Sequence, residues 1–174
     1  MNTNFEISQK TSVEWYTPAE IIRALGNFDL DPCTSDIAYS FNKSANKYYT
    51  KEDDGLSKDW FGRVWLNPPY SQPTITQFME KMALHNNGIA LLYNRSDNQM
   101  FHSFIFPVAD SIFFIKGRIR FYRPDGTRGE QPGAGSILIA FGENNTKCIE
   151  NSVLVGHIFK SVNKKVALQT SITF

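Results

Sequence analysis

Cysteine is nearly absent: Cys33 and Cys148 are the only two in 174 residues. Two thiols make no disulfide framework, so the core must hold the fold, and a reducing cytoplasm is the expected setting. No apolar run approaches the roughly 20 residues of a membrane helix, and Met1–Lys10 is polar, without the apolar centre of a signal peptide. Histidine is scarce too. His85, His102 and His157 have neither carboxylate nor cysteine neighbours at ligand spacing, so no metal site is expected. A Gly-rich phosphate loop, a Ser-His-Asp set and a redox cysteine pair are also missing.

Net charge is almost absent as well, at +1, but it is unevenly spread. Residues 1–100 hold nine Lys/Arg against twelve Asp/Glu, while residues 101–174 hold nine against five. An acidic part beside a basic part suits a protein that meets a cation on one side and a polyanion on the other. Hydrophobic residues make up 41%, enough for one ordinary core, and the whole of 1–174 reads as a single domain without repeats or linkers.

Thr17-Pro18-Ala19-Glu20 has the form of a capping box with proline at the first helical position. It predicts a helix to about Leu25, stopped by Gly26. Phe28–Asp31 reads as a short strand ended by Pro32, whereas 34–63 is polar and aromatic with no clear period. Val64-Trp65-Leu66 is a short buried strand, and Thr76–His85 carries Phe78, Met79 and Met82 at helical spacing. Ile89–Tyr93 is a continuous apolar run, as in a central parallel strand. Asp97–Phe106 reads as helix, Ser111–Tyr122 as strand and Ser136–Phe141 as its antiparallel partner; 143–174 has no clear pattern. This order predicts an α/β fold, a mostly parallel sheet with an antiparallel edge hairpin.

The chemistry centres on Asn67-Pro68-Pro69-Tyr70, which closes the Val64–Leu66 strand. Ligands of α/β sheets bind beyond the C-terminal ends of strands, which is where Asn67 falls. The prolines remove two backbone N–H donors, so the turn offers mainly carbonyl acceptors. An exocyclic amino group on a base is a poor nucleophile, because its lone pair is delocalised into the ring. The Asn67 side-chain oxygen and the Pro68 carbonyl can accept both its N–H groups, leaving the lone pair free to attack. Tyr70 can stack on the same base once it is flipped from a duplex. Adenine N6 and cytosine N4 need the same two acceptors.

Farther along, Lys116, Arg118 and Arg120 alternate with Ile115, Gly117, Ile119 and Phe121, giving one basic and one apolar face to a strand. With Arg123 and Arg128 this makes a phosphate-binding stripe, or alternatively a charged edge that blocks aggregation. Arg95, just after the Ile89–Tyr93 run, lies at the binding edge of the sheet.

In this order, Glu14-Trp15-Tyr16-Thr17-Pro18, Asp29-Leu30-Asp31-Pro32-Cys33, Asn67-Pro68-Pro69-Tyr70, Lys116-Gly117-Arg118-Ile119-Arg120-Phe121 and Gly135-Ser136 resemble the phage and prophage DNA N6-adenine methyltransferase (Dam-like) family. The likeness covers roughly 13–142. It implies an abbreviated Rossmann-like methyltransferase fold, S-adenosyl-L-methionine as methyl donor and double-stranded DNA as partner. It also implies that Tyr16-Thr17-Pro18 packs beside the methionine end of that cofactor, and that Asp31, with Pro32 and Cys33, faces its cationic region. Asp54, or Asp53, would accept from the ribose or adenine. One departure stands out: Thr34-Ser35-Asp36 replaces the Gly-x-Gly that the wider methyltransferase class places after the first strand.

Three readings compete with adenine methylation. They are cytosine-N4 methylation, a non-catalytic DNA-binding remnant of a methyltransferase, and a Mg²⁺ cluster built from Asp29, Asp31, Asp53 and Asp54.

Overall fold

The computed structural model describes residues 15–161. Glu14 and the stretch 162–174 lie outside them, as do Met1–Lys10. The first helix, α1 (Ala19–Ala24), starts after Pro18 and stops at Gly26, whose φ of +85° favours glycine. The expected capping box does not form, because Pro18 takes the cap position and no side-chain oxygen bonds the first turn. Strand β1 (Leu30–Asp31) follows.

The patternless stretch holds two short elements. Helix α2 (Asp36–Asn42) is capped by Ser35, whose hydroxyl accepts from Ala38 N at 3.2 Å, and it ends at Lys43 with φ +49°. Strand β2 (Lys47–Tyr48) then pairs parallel to β1. Strand β3 (Val64–Leu66) leads into α3 (Thr74–His85), which stops at Asn86 in the left-handed conformation. Strand β4 (Gly88–Tyr93) runs parallel to β3. Gly88 is required there, since a Cβ would lie 2.2 Å from the Val64 carbonyl.

The expected helix before Pro107 shrinks to one π-helical turn, Phe101–Ile105. Strand β5 (Ser111–Ile115) is also shorter than the alternation suggested. At Gly117, with φ +85°, the chain turns off the sheet, so Lys116–Phe121 is not a strand. Strand β6 (Ser136–Phe141), helix α4 (Glu143–Glu150) and β7 (Gly156–Lys160) complete the described chain.

All seven strands form one sheet in the order β2-β1-β3-β4-β6-β5-β7. Strands β1 to β5 share one direction, and β6 and β7 oppose it. The antiparallel hairpin is therefore not at the edge: β6 inserts between β4 and β5, and β7 takes the edge.

Residues alternate between two cores, one on each face. Val64, Leu66, Ala90, Leu92, Ile137 and Ile139 pack with Phe78, Met79 and Met82 of α3 and with the π turn. Trp65, Ile89, Leu91, Leu138 and Ala140 pack with Ile22 and Leu25 of α1, Ile149 of α4 and the returning Ile119 and Phe121. Covering both faces explains why β4 and β6 are apolar without interruption. Among the described residues, no helix is long and apolar enough to cross a membrane.

Candidate active site

After β1 the chain turns to β2 on one side, and β3 and β4 lie on the other. Ligand crevices of open α/β sheets form where the strand order reverses in this way, outside the carboxyl ends. The carboxyl ends of β1 and β3 are Asp31 and Leu66, adjacent because Leu30 pairs with Val64. The residues just beyond these two strands therefore meet at this crevice.

Asp31 is buried. One carboxylate oxygen accepts from the Ser44 hydroxyl, and the other from Cys33 N at 3.2 Å. Burial pushes its carboxyl up from 3.8 to about 6, opposed by these two hydrogen bonds. No cation of the described chain contributes to that balance. Cys33 donates its thiol to the Asn67 carbonyl at 3.4 Å, which ties the two strand ends together. Burial, and then the Asp31 charge, push that thiol well up, which favours its protonated form.

Asn67 donates through Nδ2 to the Thr17 hydroxyl at 3.2 Å. Thr17 is itself buried, and its carbonyl accepts from Asn42 Nδ2 at 3.4 Å. The Thr17 hydroxyl thus serves the Asn67 amide rather than the first turn of α1. With Nδ2 held, Oδ1 is the face of the amide left to a ligand. Among the described residues, neither Asn67 Oδ1 nor the Pro68 carbonyl accepts a bond from the protein. Pro68 is buried, and Pro69 is exposed.

Tyr70 is 46% exposed, yet its hydroxyl turns inward to accept Tyr93 N, at the end of β4, at 3.0 Å. Its ring lies 4.8 Å from that of Tyr93. Burial of the hydroxyl, and then the neighbouring Tyr93, push the phenol up. The ring is held as a neutral platform beside Asn67.

Tyr16, Thr17, Pro18 and Pro32 are all buried around this crevice. Tyr16 joins it through paired backbone bonds with Tyr122. Gly55 packs on Pro32, its would-be Cβ only 1.9 Å from the Pro32 carbonyl, which sets the 51–57 turn beside β1. Asp54 is exposed in that turn with φ +54°, while Asp53 accepts from Thr50 N and its hydroxyl. Asp29 accepts from Arg63 N at 2.7 Å. The four acids thus serve separate tasks, and no group of three or more potential metal ligands gathers among the described residues.

The basic residues keep their alternation without a strand. Lys116, Arg118 and Arg120 are exposed, whereas Ile119 and Phe121 are buried. With Arg128, Pro18, Glu20 and Ile21 they line a shallow cleft of about 260 Å³ between this segment and α1. Arg123 lies over the Trp15 ring, and Arg95 is exposed beyond the carboxyl end of β4.

Sequence reasoning missed Ser44, Asn42 and Tyr93. Ser44 and Asn42 sit in the patternless stretch, and only the sheet brings them to Asp31 and Thr17. Tyr93 was legible as the end of an apolar strand, but not as the donor to Tyr70.

The reversal crevice of this α/β fold thus joins a buried carboxylate at the end of one strand to two open carbonyl acceptors just beyond the next. The chain belongs to the DNA N-6-adenine-methyltransferase (Dam) family, whose profile it matches over residues 5–168. It is 42% identical over 87 residues to the DNA N-6-adenine-methyltransferase of Escherichia phage T1, covering 45% of this chain and 34% of that protein. With the DNA N-6-adenine-methyltransferase of Haemophilus phage HP1 (strain HP1c1) it shares 29% identity over 119 residues, 66% of each chain. The chain thus spans about a third of the first relative's length and about two thirds of the second's. No solved structure matches it.

Proposed function

We propose that this protein transfers a methyl group from S-adenosyl-L-methionine to N6 of adenine in double-stranded DNA, on an abbreviated Rossmann-like methyltransferase sheet. The observation that carries the reading is the state of Asn67: its amide nitrogen is tied to Thr17, while its oxygen and the Pro68 carbonyl are left to a ligand.

The residues present fit the methyl donor. Asp31 is a buried carboxylate with no cation against it among the described residues, a costly arrangement that a bound cation relieves. Asn42 Oδ1 is a second buried acceptor left without a partner among the described residues. Bound S-adenosyl-L-methionine supplies a methyl group on a positively charged sulfur that departs as a neutral thioether. Asp31, with Tyr16, Thr17, Pro18, Pro32 and Cys33 around it, holds the cationic end, and exposed Asp54 serves the adenosine end. The Thr34-Ser35-Asp36 turn, in place of Gly-x-Gly, leaves Ser35 to cap α2.

Asn67 Oδ1 and the Pro68 carbonyl orient the target amino group by accepting its two N–H groups, and Tyr70 stacks on the flipped base. Pro69 keeps the turn rigid and free of competing donors. Lys116, Arg118, Arg120 and Arg123 meet the phosphates, and Arg95 meets DNA at the edge of the crevice.

Transfer of labelled methyl to defined duplexes, followed by nucleoside analysis, tests the reading. N6-methyladenine is the expected product. N4-methylcytosine would reassign the substrate, and absence of transfer together with absence of heat on titration with S-adenosylhomocysteine would leave a DNA-binding remnant.

A further inference from the structure

Phe41, Trp15 and Tyr122, with two guanidinium groups, lie about the paired Tyr16 and Tyr122 backbones next to the crevice, with Tyr16 itself buried. Phe41, on α2, packs its ring 4.8 Å from Tyr122 and 6.2 Å from Tyr16. Arg128 lies over Tyr122 at 5.2 Å and Arg123 over Trp15 at 5.5 Å. Trp15 rests on Gly129, where a Cβ would come within 2.2 Å of its ring. Arg128 also borders the basic cleft and pairs with Glu20 at 3.2 Å across that surface.

The position of this surface matters as much as its composition. Tyr16 precedes Thr17, which accepts from Asn67, and Asn42 follows Phe41 and donates to Thr17. Phe41 is therefore one residue away from the hydrogen-bond line that holds Asn67. It is 38% exposed and Trp15 41%. A lone exposed phenylalanine is ordinary; one packed on a second ring that an arginine covers, beside a crevice, is the arrangement that binds unpaired bases.

We infer that Phe41, packed against Tyr122, the ring that Arg128 covers, is a stacking platform for a nucleobase of the DNA strand next to the target adenine. This rests on the methyltransferase reading and adds a second base contact outside the target pocket. The same flat chemistry would suit the adenine of the cofactor. Charge decides between them: Arg123 and Arg128 cover two of the rings, Arg128 also borders the cleft that Lys116, Arg118 and Arg120 line, and DNA brings phosphates whereas S-adenosyl-L-methionine brings none.

The test measures binding of the full chain to a fluorescent mixed-sequence oligonucleotide, single-stranded and duplex, across a salt series. Phe41→Ala and Phe41→Leu are expected to lose about 5- to 100-fold in affinity at every salt concentration, with the salt slope unchanged, and Phe41→Trp to retain it. Arg128→Gln is expected to reduce the slope by about one. Calorimetry with S-adenosylhomocysteine should give wild-type affinity for all four variants, and thermal melts check folding. Wild-type DNA affinity in Phe41→Leu, or loss of S-adenosylhomocysteine binding in that variant, overturns the platform alone. Failure of the wild-type protein to bind DNA overturns the platform together with the methyltransferase reading.

Discussion

On one side of β4 the strands are two, two and three residues long and run parallel; on the other they are five or six long and antiparallel to their neighbours. The β4–β6 ladder runs unbroken from Gly88–Phe141 to Tyr93–Ser136, whereas β1 meets β3 at a single pair. Both halves bury polar groups, Ser111, Ser136, Asn145 and Thr146 in the long one, but the four of the short half, Asp31, Ser44, Asn42 and Thr17, gather at the crevice. Polar atoms there must find partners across the chain, as Thr17 does with Asn67 and Ser44 with Asp31. The long half is built on long apolar ladders, and the short half carries the crevice.

Substitution in the long half should unfold the protein without altering the site. Leu138 is fully buried between β4 and β5, and Leu138→Ala should cost about 2–5 kcal/mol in urea denaturation. Methyl transfer per folded molecule should stay near wild type.

Substitution in the short half should do the reverse. Thr17→Val removes the acceptor that holds the Asn67 amide and should lower kcat about ten- to a hundredfold, with little change in melting temperature. Thr17→Ser should restore most of it, a rescue that a purely packing role would not give.

Asp31 sharpens the contrast through pH. Its folded pKa is raised, to about 6, so its contribution to stability is full below about pH 4 and is lost as pH rises through about 6. Asp31→Asn should flatten that decline in urea titrations of the unliganded protein. Affinity for S-adenosyl-L-methionine, which needs the ionised carboxylate, should rise about tenfold per pH unit up to about pH 6 and then level off. A flat affinity profile in the wild-type protein would remove Asp31 from the cofactor seat.

The smallest effect is expected at the boundary between the halves. Tyr70→Phe leaves Tyr93 N without its acceptor and should cost about 1 kcal/mol by denaturation, while retaining the stacking ring and most of the activity.

The long half was the more legible in sequence, because β4 and β6 are apolar runs and α3 repeats its Phe and Met residues at helical spacing. The hairpin's place was not legible: nothing local says that β6 inserts beside β4 instead of ending the sheet. The sequence pattern overextends β5, because Ile119 and Phe121 go on alternating in burial after Gly117 has taken the chain off the sheet. In the short half, Val64–Tyr70 could be read because prolines punctuate it. Helix α2 and strand β2 could not, being held by tertiary contacts such as the Tyr39–Tyr48 stack at 4.0 Å. Thr17 fits a helix cap by local pattern, and its actual partner is fifty residues away.

The central claim is that Asn67 orients a substrate amino group and does not hold the fold or the cofactor. The direct measurement is methyl transfer to duplex DNA by Asn67→Ala, with S-adenosylhomocysteine affinity measured on the same sample. The account predicts a loss of at least about a hundredfold in kcat with affinity near wild type. Normal transfer by Asn67→Ala would contradict it.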